Sequence, residues 1–398
     1  MFAELAALPP DSLLGLTALF NADPRSQKID LGVGVYRTAD NKTPVMAAVA
    51  DAERRLGETE VTKAYLPAEG APGFGEAIRT LIFGGAIDPA RVAVVQTPGG
   101  CGALRLGAEL ALRASARGVA CGTPTWANHA PLIVSSGLPL TPIRYYDAAR
   151  QRVDFEAFYD AAARLGPKDA LLLHACCHNP TGADLSRDEI DAVIDLAARN
   201  AFLPFVDFAY HGFAEGLDAD AHMPRRMAER LPEFLIAYSC SKHFGLYRER
   251  TGALLMIGAD GARAAAMKSH AVSIARQIYS MPPAHGGLLV RDILASPDLA
   301  RRWRDELETM RRAVIDSRRL LAAHARGHQL GERLDYIAGQ NGMFSLLPLT
   351  ADAVLALRER HGVYVAPDGR ANLCGVNAGN VDALCAALAD VMRAGDRR

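Results

Sequence analysis

Through the middle of the chain, short apolar runs alternate with longer stretches whose apolar residues recur at helical spacing. Val92–Gln96, Val119–Gly122, Ala170–Cys176, Leu203–Asp207, Phe234–Tyr238 and Ala253–Ile257 have strand length and are rich in aliphatic and aromatic residues, as strands buried on both faces are. This alternation predicts an α/β fold built on a largely parallel sheet. One intervening helix marks its own start, since Ser186 and Glu189 have capping-box spacing ahead of the run Ile190–Ile194. The stretch Leu299–Ala325, rich in Arg and Glu with apolar residues at helical spacing, predicts one long helix. It is expected to leave a large domain and enter a second one, where the C-terminal segment packs with residues from the N-terminus.

The residues with candidate chemistry follow these strands. Gly99 and Gly100 come after the first run, Trp126 after the second, and Asn179, Asp207 and Lys242 close behind later ones. Ligands of open α/β sheets bind beyond the carboxyl ends of the strands, so these side chains can converge. In Thr97-Pro-Gly99-Gly100-Cys101-Gly102 a strand runs through a glycine turn into a helix, whose free N–H groups suit a phosphate. The pattern is neither GxGxxG nor a Walker loop, and an ordinary βα turn is the alternative. Asp207 ends an apolar run and needs a partner if buried, with His129 and His178 both available. Lys242 is one of only six lysines beside thirty-eight arginines. Arginine cannot replace a lysine that must lose its proton, so a lysine behind a buried strand and near Arg250 is a candidate Schiff-base nucleophile. Taken alone, a surface lysine capping a helix is the favoured reading.

Length and charge narrow the classes. A chain of 398 residues exceeds the size of a single growing core and predicts two structural domains. A formal net charge of -1 leaves no electrostatic footprint for nucleic acid or a membrane surface, so any phosphate recognition is local. The seven cysteines, including the adjacent Cys176 and Cys177, have neither disulfide-framework nor metal-site spacing. They predict reduced, mostly buried thiols, no metal, and a cytoplasmic protein. The start, Met1-Phe-Ala-Glu4-Leu, lacks a basic segment and is interrupted at Pro9-Pro10-Asp11, unlike a signal peptide, and no later run is long enough to span a membrane.

Five short motifs, in this order, add a family: Asn179-Pro-Thr-Gly182, Asp207-Phe-Ala-Tyr210, Ser239-Cys-Ser-Lys242, Arg250 and Gly369-Arg370. With them the chain resembles the class I (fold type I) pyridoxal-phosphate aminotransferases, specifically the bacterial aspartate and aromatic amino acid subgroup, over nearly its whole length. The resemblance implies a large domain with a mostly parallel seven-stranded sheet and a smaller α/β domain. Residues 1–44 would form an N-terminal arm and part of the small domain, 45–310 the cofactor-binding domain, and 311–398 the C-terminal domain. It implies pyridoxal 5'-phosphate bound to Lys242, Asp207 against its ring nitrogen, Tyr210 and Asn179 at its ring oxygen, and Trp126 on its face. Gly99, Gly100, Cys101, Ser239, Ser241 and Arg250 would hold the phosphate, joined by Tyr65 from the other subunit of a homodimer with shared active sites. Relatives usually carry Thr or Ser where Cys101 stands, and a thiol is the poorer hydrogen-bonding group.

For the substrate, the resemblance implies Arg370 on the α-carboxylate, Arg276 reaching across the dimer to a side-chain carboxylate, and Gly34, Trp126 and Asn179 nearby. Met281 and Ala64 depart from the aspartate-selective pattern toward a less polar distal pocket, whereas Val35 and Thr43 keep it. The expected activity is amino-group transfer between aspartate, glutamate or aromatic amino acids and 2-oxo acids. A lyase or decarboxylase on the same cofactor and a non-catalytic regulatory module are the rival expectations.

Overall fold

The computed structural model describes residue 2, residues 4–7 and residues 12–395. The break read at Pro9–Asp11 lies outside them. The chain forms two compact units, Pro44–Arg312 and, together, Met1–Thr43 with Ala313–Arg398. The division at Arg312 falls inside a single helix, Pro297–Gly327.

The larger unit is built on a seven-stranded sheet with β1 Val92–Pro98, β2 Gly118–Thr123, β3 Leu140–Arg144, β4 Asp169–His174, β5 Leu203–Phe208, β6 Phe234–Ser239 and β7 Thr251–Ile257. Their spatial order is β1-β7-β6-β5-β4-β2-β3. All neighbours run parallel except β7, which is antiparallel to both β1 and β6. The mostly parallel α/β sheet expected from the sequence is therefore present. Every residue of β6 and β7 is buried, which is why these strands read as unbroken apolar runs.

Two details correct the sequence reading. The fourth strand ends at His174 and not at Cys176, because the chain turns sharply where Cys177 takes a left-handed φ of 54°. The strand β3 gave no signal: its sequence Leu-Thr-Pro-Ile-Arg is only partly buried, and it pairs on one side alone. An edge strand can carry Pro142 without losing an inner ladder bond. The Ser186–Glu189 capping box is formed and starts the helix Arg187–Asn200.

In the smaller unit Ile29–Asp30 pairs parallel with Val363–Tyr364, so residues distant in sequence share one ladder. Phe344–Leu346 pairs antiparallel with Arg370–Asn372. Leu321, Leu334, Leu357, Leu373, Leu384 and Leu388 form its core.

Candidate active site

The sheet register brings the predicted phosphate residues together. Thr251 pairs with Pro98 and Gly252 with Ser239, which sets the ends of β1, β7 and β6 side by side. From β1 the helix Gly99–Arg113 begins at once. A Cβ on Gly99 would stand 2.5 Å from Arg250 Nη2, so only glycine lets the guanidinium approach the start of the helix. Gly99 has φ 69°, and Arg250 itself lies in the left-handed region at φ 51°. A non-glycine residue held there costs about 1–3 kcal/mol, and such strain concentrates at functional sites. Arg250 Nη1 donates to the Tyr247 carbonyl at 2.9 Å and weakly to Ser241 Oγ at 3.4 Å. Ser239 abuts Gly100, where a Cβ would lie 3.1 Å from Ser239 Cβ. Cys101 is half-exposed, and its sulfur accepts from Asn128 Nδ2 at 3.9 Å. Backbone donors, two hydroxyls, a guanidinium and a glycine opening form a cradle suited to a phosphate monoester.

Lys242 lies in the turn after β6, where its carbonyl accepts from Gly245 N at 3.0 Å. Its Nζ stands 5.2 Å from the ring centre of Tyr210, and the Tyr210 hydroxyl accepts from Asn179 Nδ2 at 3.4 Å. Asp207, on β5, receives His129 Nε2 at 3.0 Å. Of the two histidines available from the sequence, His129 is thus the partner. Burial is the largest single influence and opposes a charge on His129, but the bonds to Asp207 and Cys121 together with their charges outweigh it and raise its pKa to about 9. Burial likewise opposes the charge on Asp207, and the His129 bond, with Lys242 among the nearby cations, holds its pKa below the ordinary carboxylate value.

Behind this pair runs a polar column that sequence reasoning missed. Thr125 Oγ lies 2.8 Å from His129 Nδ1 and 3.2 Å from His174 Nε2. The backbone N–H of Asn179 donates to His174 Nδ1 at 3.3 Å, which leaves the His174 proton on Nε2, toward Thr125. The rings of His174 and His178 stack at 4.2 Å, as do those of His178 and Tyr145. Burial pushes the His174 pKa down to about 4 and that of His178 well below its usual value. The only available signal was the close spacing of His174, His178 and Asn179. His129, His174 and Asp207 offer ligand atoms within 4.8 Å of one another, yet each of those groups already makes a hydrogen bond.

Trp126 is partly buried against the larger core, its ring edge-on to His129 at 5.4 Å. Tyr65 is 92% exposed, and Arg276 is exposed and bonded to Ser280 Oγ. The described contacts of these two do not reach Lys242. Their segments do meet, because Met281 Sδ accepts the Leu66 N–H at 3.2 Å. One cleft of about 1030 Å³, lined by Glu76, Arg225, Arg291 and Glu308 among others, includes none of the predicted site residues. Volume without converging chemistry is the weaker guide here.

In the smaller unit Arg370 is buried. Its guanidinium lies over the Phe344 ring, 4.4 Å from the centre, and donates from Nη2 to the Gly32 carbonyl at 3.2 Å. Gly34 borders the same ring: a Cβ there would stand 3.1 Å from Phe344 Cζ. Phe344 was another omission, since an isolated phenylalanine gives no functional signal in the sequence.

The profile of the family described as "Aminotransferase class I and II" matches residues 26–388. The chain belongs to this family. The tyrosine aminotransferase of Rhizobium meliloti (strain 1021) is 45% identical, covering 94% of this chain and 96% of that protein. The aspartate aminotransferase of Escherichia coli (strain K12) is 40% identical over 98% of this chain and 100% of its own length. Among solved structures, an aromatic-amino-acid aminotransferase from Burkholderia pseudomallei, covalently bound to pyridoxal phosphate, is similar with a TM-score of 0.95 at 36% identity, covering 98% and 99% of the two chains. The chain is an aminotransferase of the aspartate/aromatic group, and the lyase and regulatory readings give way.

Proposed function

We propose that this aminotransferase holds pyridoxal 5'-phosphate on Lys242 and moves amino groups between aspartate, glutamate or aromatic amino acids and 2-oxo acids. The residues fit that cofactor: the opening at Gly99, with Arg250, Ser239 and Ser241 around it, matches a phosphate, and the Asp207 carboxylate, 11% exposed, matches a ring nitrogen that must stay protonated. When bound, pyridoxal phosphate supplies an electron sink for the charge that develops on the substrate α-carbon.

The chain supplies the rest. Lys242 Nζ would hold the cofactor and serve as the base that moves the proton at the substrate α-carbon. Asp207 would hold a proton at the ring nitrogen, and the His129 bond favours the ionised Asp207 that this task needs. Asn179 and Tyr210 would donate to the ring oxygen, Trp126 would border the ring, and Gly99, Gly100, Cys101, Ser239, Ser241 and Arg250 would hold the phosphate. Arg370 takes the α-carboxylate, with Gly34 leaving space at the same ring edge. Tyr65 and Arg276 serve the site of a second copy in a homodimer, a reading supported by their exposure. A cytoplasmic setting agrees with seven free cysteines, and among the described residues no helix is long and apolar enough to cross a membrane.

The observation that carries the assignment is Lys242 Nζ over the Tyr210 ring, with Asn179 on that ring's hydroxyl. Borohydride reduction of the yellow holoenzyme followed by peptide mapping is expected to find the cofactor on Lys242. A label on Lys168 or Lys268 would overturn it.

A further inference from the structure

We propose that Arg318 is a positioning residue for carboxylate recognition: it fixes the backbone of Phe344, whose ring carries the Arg370 guanidinium. The inference rests on reading Arg370 as the α-carboxylate ligand.

Arg318 lies on the helix Pro297–Gly327 and is 1% exposed. Its Nε donates to the Gly342 carbonyl at 2.7 Å. Nη1 donates to the Ile337 carbonyl at 3.0 Å and to Ser345 Oγ at 2.9 Å, and Nη2 to the Asn341 carbonyl at 2.7 Å and to the Phe344 carbonyl. The five N–H donors of one planar fork thus reach five acceptors along residues 337–345. Ser345 Oγ extends the set by donating to Gln340 Oε1 at 2.7 Å.

This stretch has little structure of its own to hold it. It is a 3-10 turn, Asp335–Gly339, then a bend, then the three-residue strand Phe344–Leu346. That strand decides where the Phe344 ring lies. Phe344 pairs with Asn372 and Leu346 with Arg370, so Phe344 and Arg370 lie two rungs apart, on the same face of the ladder. The ring has Arg370 Cζ at 4.4 Å over its face, and a Cβ on Gly34 would come within 3.1 Å of its rim. A guanidinium held over an aromatic face can still offer N–H groups to a carboxylate, which it takes through two parallel bonds. A small shift of Phe344 tilts those groups, and carboxylate binding weakens without loss of any residue that touches it.

Arg318→Lys keeps the charge, but three donors at one point cannot span the acceptors that the fork reaches. The measurement is calorimetric binding of 3-phenylpropionate and of succinate, two unreactive carboxylates, to cofactor-loaded enzyme. Arg318→Lys is expected to raise both Kd values roughly tenfold, with KM for the amino donor rising alike and kcat within about twofold. Ser345→Ala, which removes only one of the five contacts, is expected to raise them about threefold and decides the matter if Arg318→Lys does not fold. The double variant with Phe344→Leu should bind no more weakly than Phe344→Leu alone, since both changes act through the same ring. Unchanged Kd values in folded, loaded Arg318→Lys, or losses that add in the double variant, overturn the proposal. Arg370→Lys separates the two ideas: if it leaves both probes unaffected the reading of Arg370 fails as well, and if it weakens both while Arg318→Lys does not, only the role of Arg318 fails.

Discussion

Around Asp207 the polar groups find partners within their own chain, whereas Tyr65 and Arg276 look outward into solvent. His129, Thr125, His174 and Asn179 form a connected series behind the carboxylate, and Asp207 is held ionised by it. Tyr65 is 92% exposed, and the described contact of Arg276 is with Ser280, four residues along its own helix end. A buried charge must be met locally or it costs several kcal/mol, so the Asp207 region is complete as folded. The exposed region has no such requirement, and its proposed function depends on a second copy.

The largest effect should come from breaking the complete side. Asp207→Asn is expected to lower kcat by about 10²–10³-fold, the loss typical of a removed electrostatic stabiliser, while the protein still folds and loads cofactor. Half-reaction rates near wild type in the folded variant would refute the role. The same change has a pH signature in cofactor-free protein. The His129 pKa is raised from 6.5 to about 9, so its contribution to stability is fully present below 6.5 and is lost as pH rises toward 9. The Asp207 pKa is lowered from 3.8, so its contribution is present above 3.8 and is lost as pH falls through its folded value. The Tm gap between wild type and Asp207→Asn should therefore be widest from about pH 4 to 6.5 and shrink toward pH 9. A gap independent of pH would separate the stability of the site from this pair.

On the exposed side the expected changes are selective and smaller. A charge-assisted bond to a carboxylate is worth roughly 1.5–3 kcal/mol, so Arg276→Ala should cut kcat/KM for aspartate by about ten- to a hundredfold and spare phenylalanine. Equal losses for both donors would contradict the division of labour between Arg276 and Arg370. The smallest change concerns the thiol in the cradle: Cys101→Ser should tighten cofactor binding by a few-fold, read from the cofactor Kd, because a hydroxyl is the better hydrogen-bonding partner. No change would mean that the backbone donors and Arg250 already saturate the phosphate.

The sequence determined the class of the protein and the ends of the strands that carry its chemistry. The fully buried strands β6 and β7 betray themselves as apolar runs, and Ser239, Ser241 and Lys242 fall within four positions at the end of β6, so local reading suffices. The edge strand Leu140–Arg144 lacked that signal because one side of it has no neighbouring strand. What only the tertiary structure decided were the partners of each group. That Asp207 meets His129 rather than His178, that Thr125 joins two histidines, and that Arg250 reaches the opening at Gly99 follow from the order in which strands lie side by side. The same holds for Arg318 and Phe344, whose importance lies in a guanidinium spanning a loop and a ring lying under Arg370. Spacing along a chain encodes which face of a helix or strand a residue takes, but sheet order and register, which are non-local, select its neighbours.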